Sequence, residues 1–187
     1  MSVGKVVFVL GLLVGVVAFW GFDGAVRATS TDEFCGAACH EMEMPRLSLQ
    51  QTAHHKNGSG VGVGCADCHI PQEFFPKMKR KIEASREVWG HFTGLIDTPE
   101  KYAAHRPQMR ERELARMRAN DSQECRNCHE VQQMDFRIQD RAVRRYHRAM
   151  KQREKTCVDC HAEVAHCKPD EDNPQVAYPC LVAELTE

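Results

Sequence analysis

Residues 65–69 read Cys-Ala-Asp-Cys-His, and the same Cys-x-x-Cys-His pattern returns at 125–129 and 157–161. Cysteines three positions apart lie on one face of a helical turn. Both can form thioethers to the vinyl groups of one porphyrin while the next histidine reaches its iron. A single copy is compatible with chance, but three form a framework. Zinc is the competing reading, since Cys-x-x-Cys is half of many zinc sites. Those halves join one another or a spaced histidine pair, however, and leave the adjacent histidines unexplained. A disulfide framework needs no histidines at all. A fourth candidate, "FCGAACHEMEM" at 34–44, has one residue too many between Cys35 and Cys39. Cysteines four apart still share a helix face, so a fourth attachment stays feasible. The expectation is four covalent c-type haems, on Cys35 and Cys39, Cys65 and Cys68, Cys125 and Cys128, and Cys157 and Cys160.

Hydrophobic residues make up 42% of the 187, but a long share of them sits in the uncharged run at 6–22. The rest of the chain is therefore short of core-forming side chains, and four large apolar plates would make up the deficit. The run itself is about 25 Å long as a helix, at the short end for a bilayer span, with Trp20 and Phe22 where an interfacial aromatic belt would begin. A cleaved signal peptide is the alternative, helped by the small-residue triplet Val26-Arg27-Ala28. The lone Lys5 and the length of the run favour an uncleaved anchor. Because haem is attached to such motifs outside the bacterial cytoplasm, the C-terminal part is expected in the periplasm, tethered to membrane lipid of the inner membrane.

His40 and His69 lie 29 residues apart and His129 and His161 lie 32 apart, with a 60-residue interval between the pairs. This is a trace of two two-haem modules. The interval reads as helix: Phe74, Met78, Ile82, Ser85, Trp89 and Phe92 recur at helical spacing while Lys77, Lys79, Arg80, Lys81 and Arg86 project elsewhere. The apolar face either packs on a haem or rests on a membrane surface. Thr98-Pro99-Glu100 marks a further helix start, and Pro107 is expected to interrupt or kink that helix. Residues 77–118 carry eleven Lys/Arg against six Asp/Glu. Haem propionates are natural partners for that excess, and nucleic acid is excluded for want of any recognition module. The fold class is thus mainly α with much irregular structure. A single N-terminal transmembrane helix with its linker (1–28) precedes a multihaem cytochrome c domain (29–167) and an acidic C-terminal extension (168–187). In or beside that extension, Cys167 and Cys180 either close a disulfide or remain thiols.

"SGVGVGCADCHIP", "IDTPEKY", "NDSQECRNCHEVQQMDF" and "KTCVDCHAEVAHCKP" closely resemble stretches of the NapC/NirT family of membrane-anchored tetrahaem quinol dehydrogenases, from the anchor to about Pro169. The resemblance implies one transmembrane helix and a helical periplasmic domain. It also implies electron transfer from membrane quinol, menaquinol or ubiquinol, to a periplasmic reductase. By position His69, His129 and His161 match the family's proximal iron ligands, and His54, His147 and His166 match distal ones, with His55 the alternative to His54. His91 and His105 match nothing. In the family the first motif is followed by a methionine that can replace histidine on the iron, which places Met42 in that role with His40 as competitor and Met44 a distant third. Asp97 matches an aspartate near the first haem and is a candidate proton acceptor for quinol oxidation, its alternative role being a helix cap before Pro99. Lys77, Lys79 and Lys81 are candidates for orienting a quinol oxygen. The absence of a further haem domain leans toward nitrate or nitrite reductase as recipient. A membrane-tethered relay without its own quinol site is the alternative, and no Cys-x-x-Cys-Lys supports a direct multihaem reductase.

Overall fold

The computed structural model describes residues 2–151 and 155–167, all in helices, turns and irregular segments, with no strand among the described residues. The first element, α1 (Val3–Ala28), is a 26-residue helix with a mean hydropathy of 2.3 over its most apolar window and none of that window buried in the protein. Its length is about 39 Å, longer than the uncharged run because it continues through Asp23 and Arg27, which neutralise each other across one turn at 2.7 Å. Apolar side chains cover its whole circumference, from Phe8 to Trp20, so the helix is long and apolar enough to cross a membrane. The Val26-Arg27-Ala28 triplet lies inside its last turn. Thr29 and Ser30 hydroxyls then donate to the last-turn carbonyls of Ala25 and Val26.

Short helices follow: α2 (Asp32–Ala37), α3 (Glu43–Gln50), α4 (Cys65–His69), α5 (Phe74–Glu83) and α6 (Ser85–Phe92). The sequence periodicity predicts one helix over the last two, but the chain breaks at Ala84. There the Ser85 hydroxyl donates back to the Ile82 carbonyl at 2.7 Å, competing with the helical ladder. Phe74, Phe75, Ile82, Trp89 and Phe92 all project from this pair with more than half of their surface exposed. Lys81 donates to the Thr29 carbonyl and hydroxyl, so α5 is tied to the exit of α1.

The spine of the domain is α7 (Pro99–Ala119), capped by the Thr98 hydroxyl and carrying Pro107 inside it. Pro107 does not end the helix: one missing N–H is offset by tertiary bonds on either side of it. Arg106 is buried and donates to the Cys167 carbonyl, Arg110 pairs with Glu163, and Arg118 bridges Glu111 and Asp159. These arginines hold protein groups of the fourth motif's segment, where the sequence suggested haem propionates for the whole basic run. Two left-handed residues, Asp121 and Ser122, reverse the chain after α7, and α8 (Gln123–Arg126) and α9 (Arg141–Lys151) complete the helices. Only six hydrophobic side chains are buried among the described residues, Leu49, Ala103, Leu114, Val131, Met150 and Val158. So thin a core leaves the cysteine motifs to be brought together by something other than side-chain packing. Cys167 is disulfide-bonded, and its expected partner Cys180 lies outside the described residues with the rest of the 168–187 extension.

Candidate functional site

Three of the four cysteine motifs share one backbone device. The second motif is α4 itself. Its start is held by Asp32, which accepts the Cys65 N–H at 2.7 Å, and by Asp67, which accepts the Gly64 N–H at 2.8 Å. Gly64 has no substitute there, since a Cβ would lie 2.1 Å from an Asp32 oxygen. In the third and fourth motifs the histidine N–H closes one turn onto the first cysteine carbonyl: His129 to Cys125 and His161 to Cys157, both at 2.9 Å. The first motif differs. Helix α2 stops at Ala37, and Cys39 is extended at φ −125°, ψ 125°. Cys35 and Cys39 therefore do not share one continuous helix face. The extra residue is absorbed as a break, after which His40–Met42 form a separate 3₁₀ turn.

The motifs lie one beside the next. Cys65 is pushed up to about 11 by burial first, then by the charges of Asp32 and Cys35. Cys68 is pushed up to about 11 by burial, Asp67, Glu124 and Cys128. The Cys125 thiol hydrogen-bonds Cys157, which raises the first and lowers the second. First neighbours second, second neighbours third, third neighbours fourth.

Eight of the ten histidines meet in four pairs. Ring centres are 6.1 Å apart for His40 and His91, 6.1 Å for His54 and His129, 6.3 Å for His69 and His166, and 6.1 Å for His147 and His161. A metal–imidazole nitrogen bond of about 2.0–2.1 Å on each side, with about 1.1 Å from nitrogen to ring centre, puts two rings sharing one metal about 6.2–6.4 Å apart. Every cysteine motif contributes one histidine to one pair, so the donor set suits four bis-histidine irons.

In each pair one ring has its Nδ1 occupied by a protein acceptor, the arrangement that fixes a ligating imidazole and frees its Nε2. His69 Nδ1 meets Glu113 at 2.8 Å, His91 Nδ1 meets Glu41 at 2.8 Å, His147 Nδ1 meets Gln139 at 2.7 Å, and His54 Nδ1 meets the Val164 carbonyl at 3.2 Å. Burial works to raise the Glu113 carboxyl, but His69 and Arg116 outweigh it and hold the group well below the usual carboxylate range. His166 is pushed down to about 4 by burial first, then by His69 and Arg106, which keeps it neutral and able to bind a metal.

Asp97 lies beside the first motif. Its carbonyl is 3.2 Å from His40 Nε2, and its carboxylate pairs with Lys101 at 2.7 Å. The hydrogen bond from Lys101 depresses its pKa. The helix cap is Thr98, so Asp97 is free of that duty. Gly94, at φ +63°, ends α6 and turns the chain back to this position.

The sequence profile of the NapC/NirT cytochrome c family, N-terminal region, matches residues 1–171. The chain belongs to the NapC/NirT cytochrome c family. It is 45% identical to the cytochrome c-type protein NapC of Haemophilus influenzae over 91% of this chain and 84% of that protein. It is 42% identical to the denitrification system component NirT of Stutzerimonas stutzeri over 88% of this chain and 82% of the relative. A putative tetraheme cytochrome of Allochromatium vinosum is 42% identical over 87% of this chain and 89% of its own length. No solved structure matches.

Against the NapC/NirT pattern, the sequence-matched residues His54, His69, His129, His147, His161 and His166 all fall into pairs. His91, unplaced by the resemblance, is paired as well. Met42 and Met44 end up 36% and 37% exposed. His105 bonds the Lys101 carbonyl one turn back on α7, at 2.9 Å, and His55 makes no ring pair among the described residues. Two of the pairs cross between the halves that the spacing suggests: His54, ahead of the second motif, meets the third motif's His129, while His166, after the fourth, meets the second motif's His69.

Proposed function

We propose that the protein is a membrane-anchored tetrahaem c-type cytochrome that oxidises membrane quinol and passes the electrons to a periplasmic reductase, of nitrate or nitrite. The observation that carries this reading is the set of four histidine pairs at one common separation, each containing the histidine of a cysteine motif. Two histidines held for each iron would leave no place for a substrate on it, which suits electron transfer rather than direct reduction of a small molecule. The names of the relatives, one a denitrification system component, supply the class of recipient.

In this reading residues 1–28 anchor the chain in the bacterial inner membrane, residues 29–167 carry the haems on the periplasmic side, and 168–187 is an extension. The Lys81 bond to Thr29 fastens α5 to the residue that follows α1. Cys35 and Cys39, Cys65 and Cys68, Cys125 and Cys128, and Cys157 and Cys160 would form the thioethers. His69 with His166, His129 with His54, and His161 with His147 would hold three of the irons. His40 and Met42 are the two candidates within the first motif. When bound, haem supplies one-electron chemistry between ferric and ferrous iron.

Quinol oxidation releases two protons as well as two electrons, so an acceptor must lie where the quinol hydroxyl meets the first haem. Asp97 is the carboxylate in that place, kept ionised by Lys101 and exposed enough to pass protons to water. Lys79, exposed on α5, and the half-buried Lys77 can orient a quinol oxygen. Lys81 is engaged with Thr29 and serves as a strut. The test is to add menaquinol or ubiquinol analogues to the purified protein in detergent and follow the haem spectrum. Reduction of haem is expected. Reduction by a low-potential chemical donor but by neither quinol would leave a tethered relay in its place.

A further inference from the structure

We infer that His91 would hold the iron of the first haem together with His40, and that Glu41 is the residue that positions the His91 ring. The inference rests on the reading of Cys35 and Cys39 as that haem's attachment. Three independent features of the structure lead to it.

The first is distance. His40 and His91 are 6.1 Å apart, the same as His54 with His129 and His147 with His161. A coincidental contact between two surface histidines has no reason to reproduce the spacing of the other motifs.

The second is the Nδ1 acceptor. The bond from His91 Nδ1 to Glu41 Oε1, at 2.8 Å, repeats the bond from His69 Nδ1 to Glu113 Oε1 at the second motif, also 2.8 Å. Glu41 is a carboxylate with 3% of its side chain exposed, and its other oxygen lies 3.6 Å from His40 Nδ1. The buried carboxylate therefore fixes the His91 ring through Nδ1, leaving its Nε2 for iron, while His40 Nδ1 stays beyond hydrogen-bond reach of it. His91 already has Nε2 disengaged. His40 Nε2 rests on the Asp97 carbonyl at 3.2 Å and would exchange that contact for the metal.

The third is the extra residue between the cysteines. It ends α2 early and restarts the chain as a 3₁₀ turn over His40–Met42, preceded by an extended Cys39. Successive side chains of such a turn point about 120° apart. His40 and Glu41 both reach His91 from this turn, and Met42, the next residue, is 36% exposed. The same turn brings Cys39, Glu41 and His91 together, with one ligand atom of each within 4.8 Å of the others. His91 thus lies against the second thioether cysteine of the motif.

The test uses the full-length protein, purified in detergent with its haems attached. Intact mass counts the haems; electron paramagnetic resonance and near-infrared magnetic circular dichroism of the oxidised protein report the ligands. The expected result for the native chain is four haems, all low-spin and bis-histidine, without a methionine–iron charge-transfer band. His91→Gly should keep all four haems by mass and turn one of the four high-spin. One equivalent of added imidazole should restore the low-spin signal. Met42→Leu should leave the spectra unchanged. Glu41→Gln should keep four low-spin haems but raise one reduction potential, because a weaker Nδ1 acceptor makes a less electron-rich imidazole. A tenfold shift in that haem's ferric–ferrous equilibrium is expected, equivalent to about 59 mV. A purely structural Glu41 would leave the potential in place.

A methionine band in the native protein, a native high-spin haem, or a His91→Gly variant that stays fully low-spin would each overturn the assignment while leaving the four-haem reading intact. A native mass with three haems would overturn the attachment at Cys35 and Cys39 itself. If His91→Gly does not accumulate, the native spectrum alone still decides between imidazole and methionine.

Discussion

Asp97 draws its properties from three neighbours. Lys101 bridges its carboxylate and the Gly94 carbonyl, at 2.7 and 2.9 Å, and His40 meets its own carbonyl. A carboxylate whose pKa is depressed by a hydrogen-bonded lysine stays ionised through the neutral range and is lost as a base only in acid. Asp97→Asn keeps the shape and removes the base. Its quinol-driven haem reduction should slow by about a hundredfold, with reduction by a chemical donor unchanged, as read by stopped-flow spectroscopy. In the native protein the quinol-driven rate should fall only as pH drops below the ordinary aspartate range, because the folded group titrates lower still. Gly94 tests the same corner from the backbone. At φ +63° a side chain is strained by about 1–2 kcal/mol, and a Cβ there would lie 2.8 Å from an Asp97 oxygen. Gly94→Ala should therefore lower thermal stability by about that amount and slow quinol oxidation without changing haem content, as measured by melting and by the same stopped-flow assay.

At the scale of elements, α7 holds its neighbours by arginine pairing. Arg116 donates to Glu113 at 2.8 Å and to Glu124 at 2.7 Å, and Glu124 has only 1% of its side chain exposed. Removing the guanidinium leaves the buried Glu124 carboxylate with the neutral Asn120 amide but without its cation, so Arg116→Met should destabilise the domain by about 3 kcal/mol, measured as a shift in guanidinium-induced unfolding at neutral pH. The sign with pH follows from Glu113, whose folded pKa is depressed. Its contribution is complete above the unfolded glutamate value and disappears as pH falls through the lower folded value. The difference between native and Arg116→Met protein should accordingly narrow in acid. What could be read from sequence at this scale was local. The three regular motifs dictate their own closed turns, and Thr98-Pro99 dictates the start of α7. The break at Ala84 could not be read, because it depends on the Ser85 hydroxyl competing with the ladder, and the stop of α2 before Cys39 could not be read, because a spacing of four is equally compatible with a continuous helix. Pro107 misled for the opposite reason: Arg106 and Arg110 fasten the helix on both sides of it. His91 was opaque because its partners, His40 and Glu41, are some fifty residues earlier and meet it only in the folded chain, whereas Met42 was named by the family resemblance, from its place two residues after His40.

Over the whole molecule the histidine pairs are also the cross-links. Spacing along the chain suggests two two-haem modules, 29 and 32 residues between their histidines. Yet His54 reaches from the first half to the third motif, and His166 returns from the C-terminal end to the second. Cys167, next to His166, is fastened by Ser48 of α3, whose hydroxyl accepts its N–H at 3.1 Å, and by Arg106 of α7. With so few buried apolar side chains, an iron shared between halves would be a larger tie than any side-chain contact between them. Neither half could keep its iron ligands while the other unfolds. The haem-loaded protein should therefore lose helix and haem ligation together, in one guanidinium transition with coincident far-ultraviolet and Soret midpoints. Two modules folding independently would instead give two steps, the Soret signal falling by about half in each. His54→Ala makes the coupling visible from one side: it removes a ligand encoded in the first half, and the haem it opens should be the one attached at Cys125 and Cys128. Proteolysis followed by spectroscopy of the haem peptides after labelling the open iron with carbon monoxide would not preserve that ligand. Comparison with a Cys125→Ala, Cys128→Ala chain does the assignment instead, since in that background His54→Ala should add no high-spin signal.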